Sequence, residues 1–355
     1  MKRVLGLTVL LISTYIFEFL FLYPGNVVDE ISYYKPTSQI SVTNTTIYNE
    51  DIIHYYKVVK QLKEADFESL EKSIAGNDRN LLEDYSKSID LLISEININL
   101  LFHNFTKFKE SNNGLKGIYV NGYYMNKETK MNSIKEILTK TNVNTLVIDA
   151  KTDNGHVLFD SQSPETDVLK NERIKYDAAS LEELRKIKDL YLIARIVVFQ
   201  DPLFAKTFTE EAIFDSKNNR IYSQNEQYFL DPSSQRARDY TLSLAIEACQ
   251  LGFNEIQFDY IRYPDSTYQY MVFKEKNNYL NRTNNINSFL GEAKEALHKE
   301  GCLVSADIFG FILTNTEDGG IGQNLETIIE SVDFISPMVY PSHYSNGSFG
   351  YQYPN

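Results

Sequence analysis

Three short segments of the chain each close on an aspartate. TLVIDAK at 145–151 carries Asp149 with Lys151, EIQFDYIRYP at 255–264 carries Asp259, and LVSADIFG at 303–310 carries Asp307. Side chains alternate between the two faces of an extended strand. In EIQFDYIRYP this places Glu255, Gln257 and Asp259 on one face and Ile256, Phe258 and Tyr260 on the other. A file of three polar groups is costly to enclose unless they are paired or used. The pairing reading is a core ion pair with Arg195 or Arg262; the working reading is a catalytic or binding carboxylate at Asp259. Two carboxylates at a shared site suit hydrolysis of a glycosidic bond, one protonating the leaving oxygen and the other meeting the anomeric carbon. Neighbouring strands lie about 4.8 Å apart, so Asp259 and Asp307 can approach the roughly 5–5.5 Å of a retaining pair, while pleat and shear can equally leave them farther apart.

The candidate catalytic residues are therefore Asp259 and Asp307. The candidate substrate-binding residues are Asp149, Lys151, Tyr260, Arg262, Tyr340, His343 and Tyr344, the last three from SPMVYPSHY at 336–344. Aromatic faces stack on sugar rings and hydroxyls take their hydrogen bonds. Tyr119, Tyr123 and Tyr124 offer the same groups. His343 is a candidate base or a hydrogen-bond partner.

Elements must bring these segments together. Strand-like runs at 117–124, 145–151, 191–200, 255–264, 303–310 and 333–340 alternate with helical stretches at 131–141, 180–189, 236–252, 286–301 and 322–332. Strand, helix, strand at this regularity predicts βαβ units on a parallel sheet. Neither GxGxxG nor GxxxxGK[ST] is present, which argues against a dinucleotide or phosphate-loop fold and calls for no cofactor. Polar residues at strand C-termini suit a barrel mouth, so the expected fold class is α/β, a (β/α)8 TIM barrel with about six of its βα units present.

Upstream of the barrel, MKR precedes VLGLTVLLISTYIFEFLFLY, twenty residues of which only Glu18 is charged. A run of that length spans a bilayer, and its basic start would stay inside. Residues 1–23 are thus predicted to be a membrane anchor with the rest of the chain extracytoplasmic; a cleaved signal and a secreted protein is the alternative. Residues 24–50 read as a linker, 51–113 as a helical stalk or hairpin, and 114–355 as the barrel domain. Cys249 and Cys302 fit no CxxC or zinc pattern, and two buried thiols are expected rather than a disulfide. With 35 basic against 48 acidic residues the net charge is −13, which speaks against nucleic acid as a partner.

VNTLVIDAKTDNGHV, LGFNEIQFDYIRYPD, SADIFGF and VDFISPMVYPSHY, in this order, resemble a bacterial glycoside-hydrolase-like family with a TIM-barrel domain, mostly exported or membrane-anchored. The resemblance runs from about Gly117 to the end. It implies a barrel related to amylase-like retaining hydrolases, with Asp259 as nucleophile, Asp307 as acid and a polysaccharide as substrate. It also implies Trp where Tyr228 stands, and barrel segments beyond PSHY, so the chain reads as truncated by two βα units. Two other readings stay open: a catalytically idle carbohydrate-binding or envelope scaffold protein, and a metal-dependent hydrolase with Asp149, Asp259 and Asp307 as oxygen ligands. Five histidines in the whole chain argue against zinc.

Overall fold

The structure is a computed structural model. It describes residues 97–169, 178–265, 269–343 and 345–353, with the short stretches 27–28, 48–49, 94 and 175–176. The predicted anchor (1–23), most of the linker and the stalk up to residue 93 lie outside the described residues. Among those described, no helix is long and apolar enough to cross a membrane. The chain divides into two compact units, Met1–Gly114 and Leu115–Asn355. In the first, Val27–Val28 pairs antiparallel with Tyr48–Asn49, and residues 97–111 are helical.

The second unit is an α/β fold. Its six main strands are β1 (Gly117–Val120), β2 (Thr145–Lys151), β3 (Tyr191–Val197), β4 (Glu255–Asp259), β5 (Leu303–Phe309) and β6 (Phe334–Met338). Every pairing is parallel and the strands lie side by side in sequence order. Between consecutive strands run α1 (Glu128–Lys140), α2 (Pro164–Val168) with α3 (Ala178–Arg185), α4 (Pro202–Thr207) with α5 (Gln235–Gln250), α6 (Tyr279–Glu300) and α7 (Leu325–Ser331). Parallel crossovers are right-handed, and here they never reverse direction. All the connecting helices therefore fall on one face, and the sheet curls into a parallel half-barrel. Among the described residues, β1 and β6 have one neighbour each.

Strand parity shows which face is which. Leu146, Ile148, Leu192, Ala194, Ile196, Ile256, Phe258, Val304, Ala306 and Ile308 are buried in one apolar cluster with the helices' Leu184, Leu244, Phe289 and Leu297. Fully burying such a side chain contributes about 1.5–3 kcal/mol, so this layer fixes the register of every strand. Helix starts are capped by side chains: Ser234 accepts from the Ala237 N–H, Asn278 from Asn281 and Asn324 from Thr327. The helix expected from 286 begins a full turn and more earlier, at Tyr279, where the Asn278 cap sits.

The cysteine expectation is corrected. Cys249 and Cys302 form a disulfide with Cα atoms 6.0 Å apart. One stands at the end of α5 and the other just before β5. Packing of α5 beside α6 and β4 brings the two element ends together, a proximity that chain spacing does not reveal.

Candidate functional site

The opposite parity of the strands carries the polar residues. Asp149, Arg195, Glu255, Gln257, Asp259, Ser305, Asp307 and Ser336 share the face turned away from the helices, as the ladder register shows: Asp149 is level with Arg195, Gln257 with Arg195 and Ser305, Asp307 with Ser336. Phe258 is level with Ala306, so Asp259 and Asp307 follow each other on adjacent strands.

Arg195 is the hub. Its Nη1 donates to Asp149 Oδ1 at 2.8 Å, while Nε and Nη2 donate to Asp259 Oδ2 at 3.0 and 2.5 Å. Burial opposes the guanidinium's charge, but Asp259 and then Asp149 outweigh it and hold its pKa above the ordinary value. The Tyr119 hydroxyl donates to Asp149 Oδ2. Burial pushes the Asp149 carboxyl up, and the Tyr119 bond and Arg195 offset part of this. Tyr119 itself is 57% exposed on β1; burial of its hydroxyl end and the bond to Asp149 raise its pKa well above the phenol range.

Asp307 has a different environment. Its side chain is 9% exposed and has no cationic partner within ion-pair distance among the described residues. Burial raises its pKa well above the usual carboxyl range, the neighbouring Asp259 charge adds to the effect, and Arg195 and the Ser336 hydroxyl offset only part of it. Two carboxyls on adjacent strands thus stand in opposed settings, one paired to a guanidinium and one favouring the neutral form. One layer deeper, Glu255 accepts from the Tyr191 and Ser305 hydroxyls, and burial raises its pKa too.

The strand ends are locked in place. Tyr260 adopts a left-handed φ of 50°, uncommon for a non-glycine residue. The turn brings its N–H back to Asp259 Oδ1 at 2.7 Å. Gln323, buried ahead of α7, accepts from the Phe309 N–H at 2.9 Å and donates to the carbonyls of Asp307 and Ile261 at 3.3 and 3.5 Å. It ties the end of β5 to the segment after β4. Gly122 passes so close to the Asp149 carbonyl that a Cβ there would clash with it.

Arg262, three residues beyond Asp259, is 7% exposed. Its guanidinium carbon lies 4.7 Å from the ring centroid of Phe309, 5.2 Å from Tyr260 and 5.4 Å from Phe229. Phe229 comes from the long β3–β4 connection. This connection folds into short antiparallel strands, in which Phe214–Asp215 pairs with Arg220–Ile221 and Ser223–Gln224 with Gln227–Tyr228, and Met271–Val272 from the β4–β5 connection pairs with Phe214–Asp215. Ile213, Tyr222 and Phe229 of this connection and Met271 from beyond β4 form a small core, against which Tyr260 packs. Tyr228, the position where Trp was expected, has Lys206 Nζ 4.5 Å over its ring.

Lys151 is a correction. Same parity as Asp149 predicts the same face, but the β2–β3 register shifts between the two residues. The shift turns Lys151 to the helix side, where it is fully buried, pairs with Asp201 Oδ2 at 2.9 Å and donates to the Val197 carbonyl at 2.6 Å. It is a fold-holding residue with no donor left at the polar face. The metal reading also lacks its geometry: the guanidinium of Arg195 lies between Asp149 and Asp259, and among the described residues no group of three or more His, Cys, Asp or Glu converges. Tyr340 is exposed beyond β6. The backbone of His343 ends a short turn, Pro341–His343; Tyr344 lies outside the described residues.

Arg195, Ser336 and Gln323 complete the arrangement without having been read as site residues, while Tyr119, read as a sugar-contacting aromatic, instead donates to Asp149. Arg195 was legible only as an ion-pair alternative, through its in-strand charge within YLIARIV.

The sequence profile of the family described as "Putative glycosyl hydrolase domain" matches residues 117–355. This chain belongs to that family. Among curated protein sequences none matches it. Of solved structures, it is similar to a hypothetical protein from Ruminiclostridium thermocellum ATCC 27405, at 30% identity over 54% of this chain and 96% of that one, TM-score 0.47. It is also similar to the PgaB (BpsB) glycoside hydrolase domain from Bordetella bronchiseptica, at 9% identity over 63% and 74%, TM-score 0.48. A third is Aspergillus fumigatus Ega3 in complex with galactosamine, at 13% identity over 63% and 66%, TM-score 0.39. Within the family domain, the residues that gather at one face of the sheet are Asp149, Arg195, Asp259 and Asp307, each at or near the C-terminal end of its strand.

Proposed function

We propose that this glycosyl-hydrolase-family protein cleaves a polysaccharide of the cell envelope or extracellular space by paired-carboxylate catalysis. One observation carries the reading: Asp307, buried, without a cation and favouring its protonated form, follows Asp259, paired to Arg195, on the next strand. Asp307 donates its proton to the glycosidic oxygen as the C1–O bond breaks. The Asp259 carboxylate meets the positive charge that develops at the anomeric carbon, and a water then adds its oxygen there to form the new reducing end and returns a proton to Asp307. Asp149, Tyr340 and His343 orient sugar hydroxyls. The consecutive parallel strands support reading the domain as part of a (β/α)8 barrel, whose strand C-termini carry the chemistry. The basic start and apolar run at 4–23, together with the Cys249–Cys302 disulfide, support an anchored, extracytoplasmic placement, since disulfides persist in oxidising compartments.

The test is release of reducing ends from a panel of envelope and extracellular polysaccharides by the full chain. Asp259→Asn is expected to abolish release. Asp307→Asn is expected to slow it about 10²–10⁴-fold, but much less with aryl glycosides whose leaving group needs no proton. Unchanged hydrolysis in either variant contradicts the assignment. Glycan binding with no cleavage in the wild type selects the idle carbohydrate-binding reading.

A further inference from the structure

Among the described residues, three largely enclosed arginines each donate three side-chain hydrogen bonds, and Arg262 differs from them. Arg195 is shared by two carboxylates. Arg238 donates to the Pro232 and Asn285 carbonyls and to the Asn285 side chain. Arg282 forms a two-pronged pair with Asp318 at 2.6 and 2.9 Å and adds a bond to Asn277. Arg262 makes a single hydrogen bond, from Nη1 to the Tyr263 carbonyl at 2.9 Å. Four of its five N–H groups have no acceptor among the described residues, and no carboxylate there reaches ion-pair distance. Asp265, on the same loop, acts on it only at longer range.

Three aromatic rings gather around the group, their centroids 4.7–5.4 Å from its guanidinium carbon. Cation–π contacts of this kind hold a guanidinium in position and leave its in-plane edge for a partner. The rings come from three places, the β3–β4 connection, the turn after Asp259 and the end of β5, so the group is fixed to the ends of the two strands that carry Asp259 and Asp307. A largely buried charged fork with one hydrogen bond is poorly compensated; an incoming anion adds charge-assisted bonds.

We propose that Arg262 is the specificity group of this site and takes the carboxylate of an acidic sugar, so that the substrate is a glycan containing uronic acid. The inference rests on the reading of the site as one that binds sugars. A planar carboxylate presents two oxygens to the planar fork, which suits the free edge, and its adjoining sugar ring meets the exposed part of Tyr260.

Binding separates the two readings, because it needs no turnover. The full-length protein is titrated calorimetrically with methyl glucuronoside, its carboxyl methyl ester, methyl glucoside and glucose 6-phosphate. The expected result is tenfold or tighter binding of the glucuronoside than of its ester or of the glucoside. Arg262→Gln collapses that preference to about one, and Arg262→Lys, keeping the charge but losing the fork, restores only part of it. Equal binding of glucuronoside and ester by the wild type overturns the proposal even if both variants fail to fold. A preference for the phosphate over the glucuronoside overturns the carboxylate assignment. Binding of none of the four overturns this inference and the sugar-binding reading together, whereas sugar binding without preference overturns this inference alone.

Discussion

Burial of the Asp307 carboxyl costs stability, and pH exposes the cost. In the unfolded chain its carboxyl titrates near the ordinary value of about 3.9. In the fold, burial raises it well above that. The folded state therefore holds a proton that the unfolded state has released, and this group's contribution favours the fold below the unfolded value and is lost as pH rises through the folded one. Asp307→Asn removes the loss. Urea unfolding should show the variant gaining stability over the wild type as pH rises from 4 to 8; a flat or falling difference would mean that Asp307 is solvated or paired. At this scale much of the site was legible. Alternation of polar and apolar residues in EIQFDYIRYP pointed Asp259 inward, and SAD did the same for Asp307. What alternation cannot show is that Arg195 reaches two carboxylates at once, since that depends on side chains from three strands meeting.

At the scale of elements, Lys151 shows how a pattern argument fails. Residues two apart share a face only while the ladder is regular, and a one-residue irregularity reverses the side on which everything beyond it lies. Between Asp149 and Lys151 the register shifts, so the aspartate faces the site and the lysine is sealed beneath α5 with Asp201. Asp201 caps α4 through the Phe204 N–H at 2.8 Å, and the pair joins β2 to the start of that helix. Lys151→Ala leaves a fully buried carboxylate unpaired and should cost about 3–5 kcal/mol, read as a drop in the urea midpoint with unchanged slope. A loss below 1 kcal/mol would show that the pair is not sealed. The short hairpins of the β3–β4 connection were not legible as strands at all: two-residue ladders leave no period to detect.

At the scale of the molecule, the order of strands followed from the sequence because each βαβ unit is local and its handedness is fixed. The disulfide did not, because the closeness of Cys249 and Cys302 is a product of packing across 53 positions of chain. Closing a loop of that size restricts the unfolded chain and stabilises the fold by about 4 kcal/mol in the chain-entropy account. It also holds the lower end of β5, the strand that bears Asp307. Reduction, or Cys249→Ser with Cys302→Ser, should lower the unfolding free energy by that order while far-ultraviolet circular dichroism stays native below the transition; an unchanged urea midpoint would show that the two sulfurs are not joined.

Tyr228 belongs to the Ser223–Gln224 and Gln227–Tyr228 hairpin inside the β3–β4 connection. The chain contains no tryptophan, and Tyr228 sits one residue before Phe229, a wall of the Arg262 pocket. An indole introduced at 228 would be the sole long-wavelength emitter in the protein, stacked under Lys206 and coupled through the backbone to the group proposed to choose the ligand. Position 228 is thus a built-in place for an optical probe, free of tryptophan background from anywhere else in the chain.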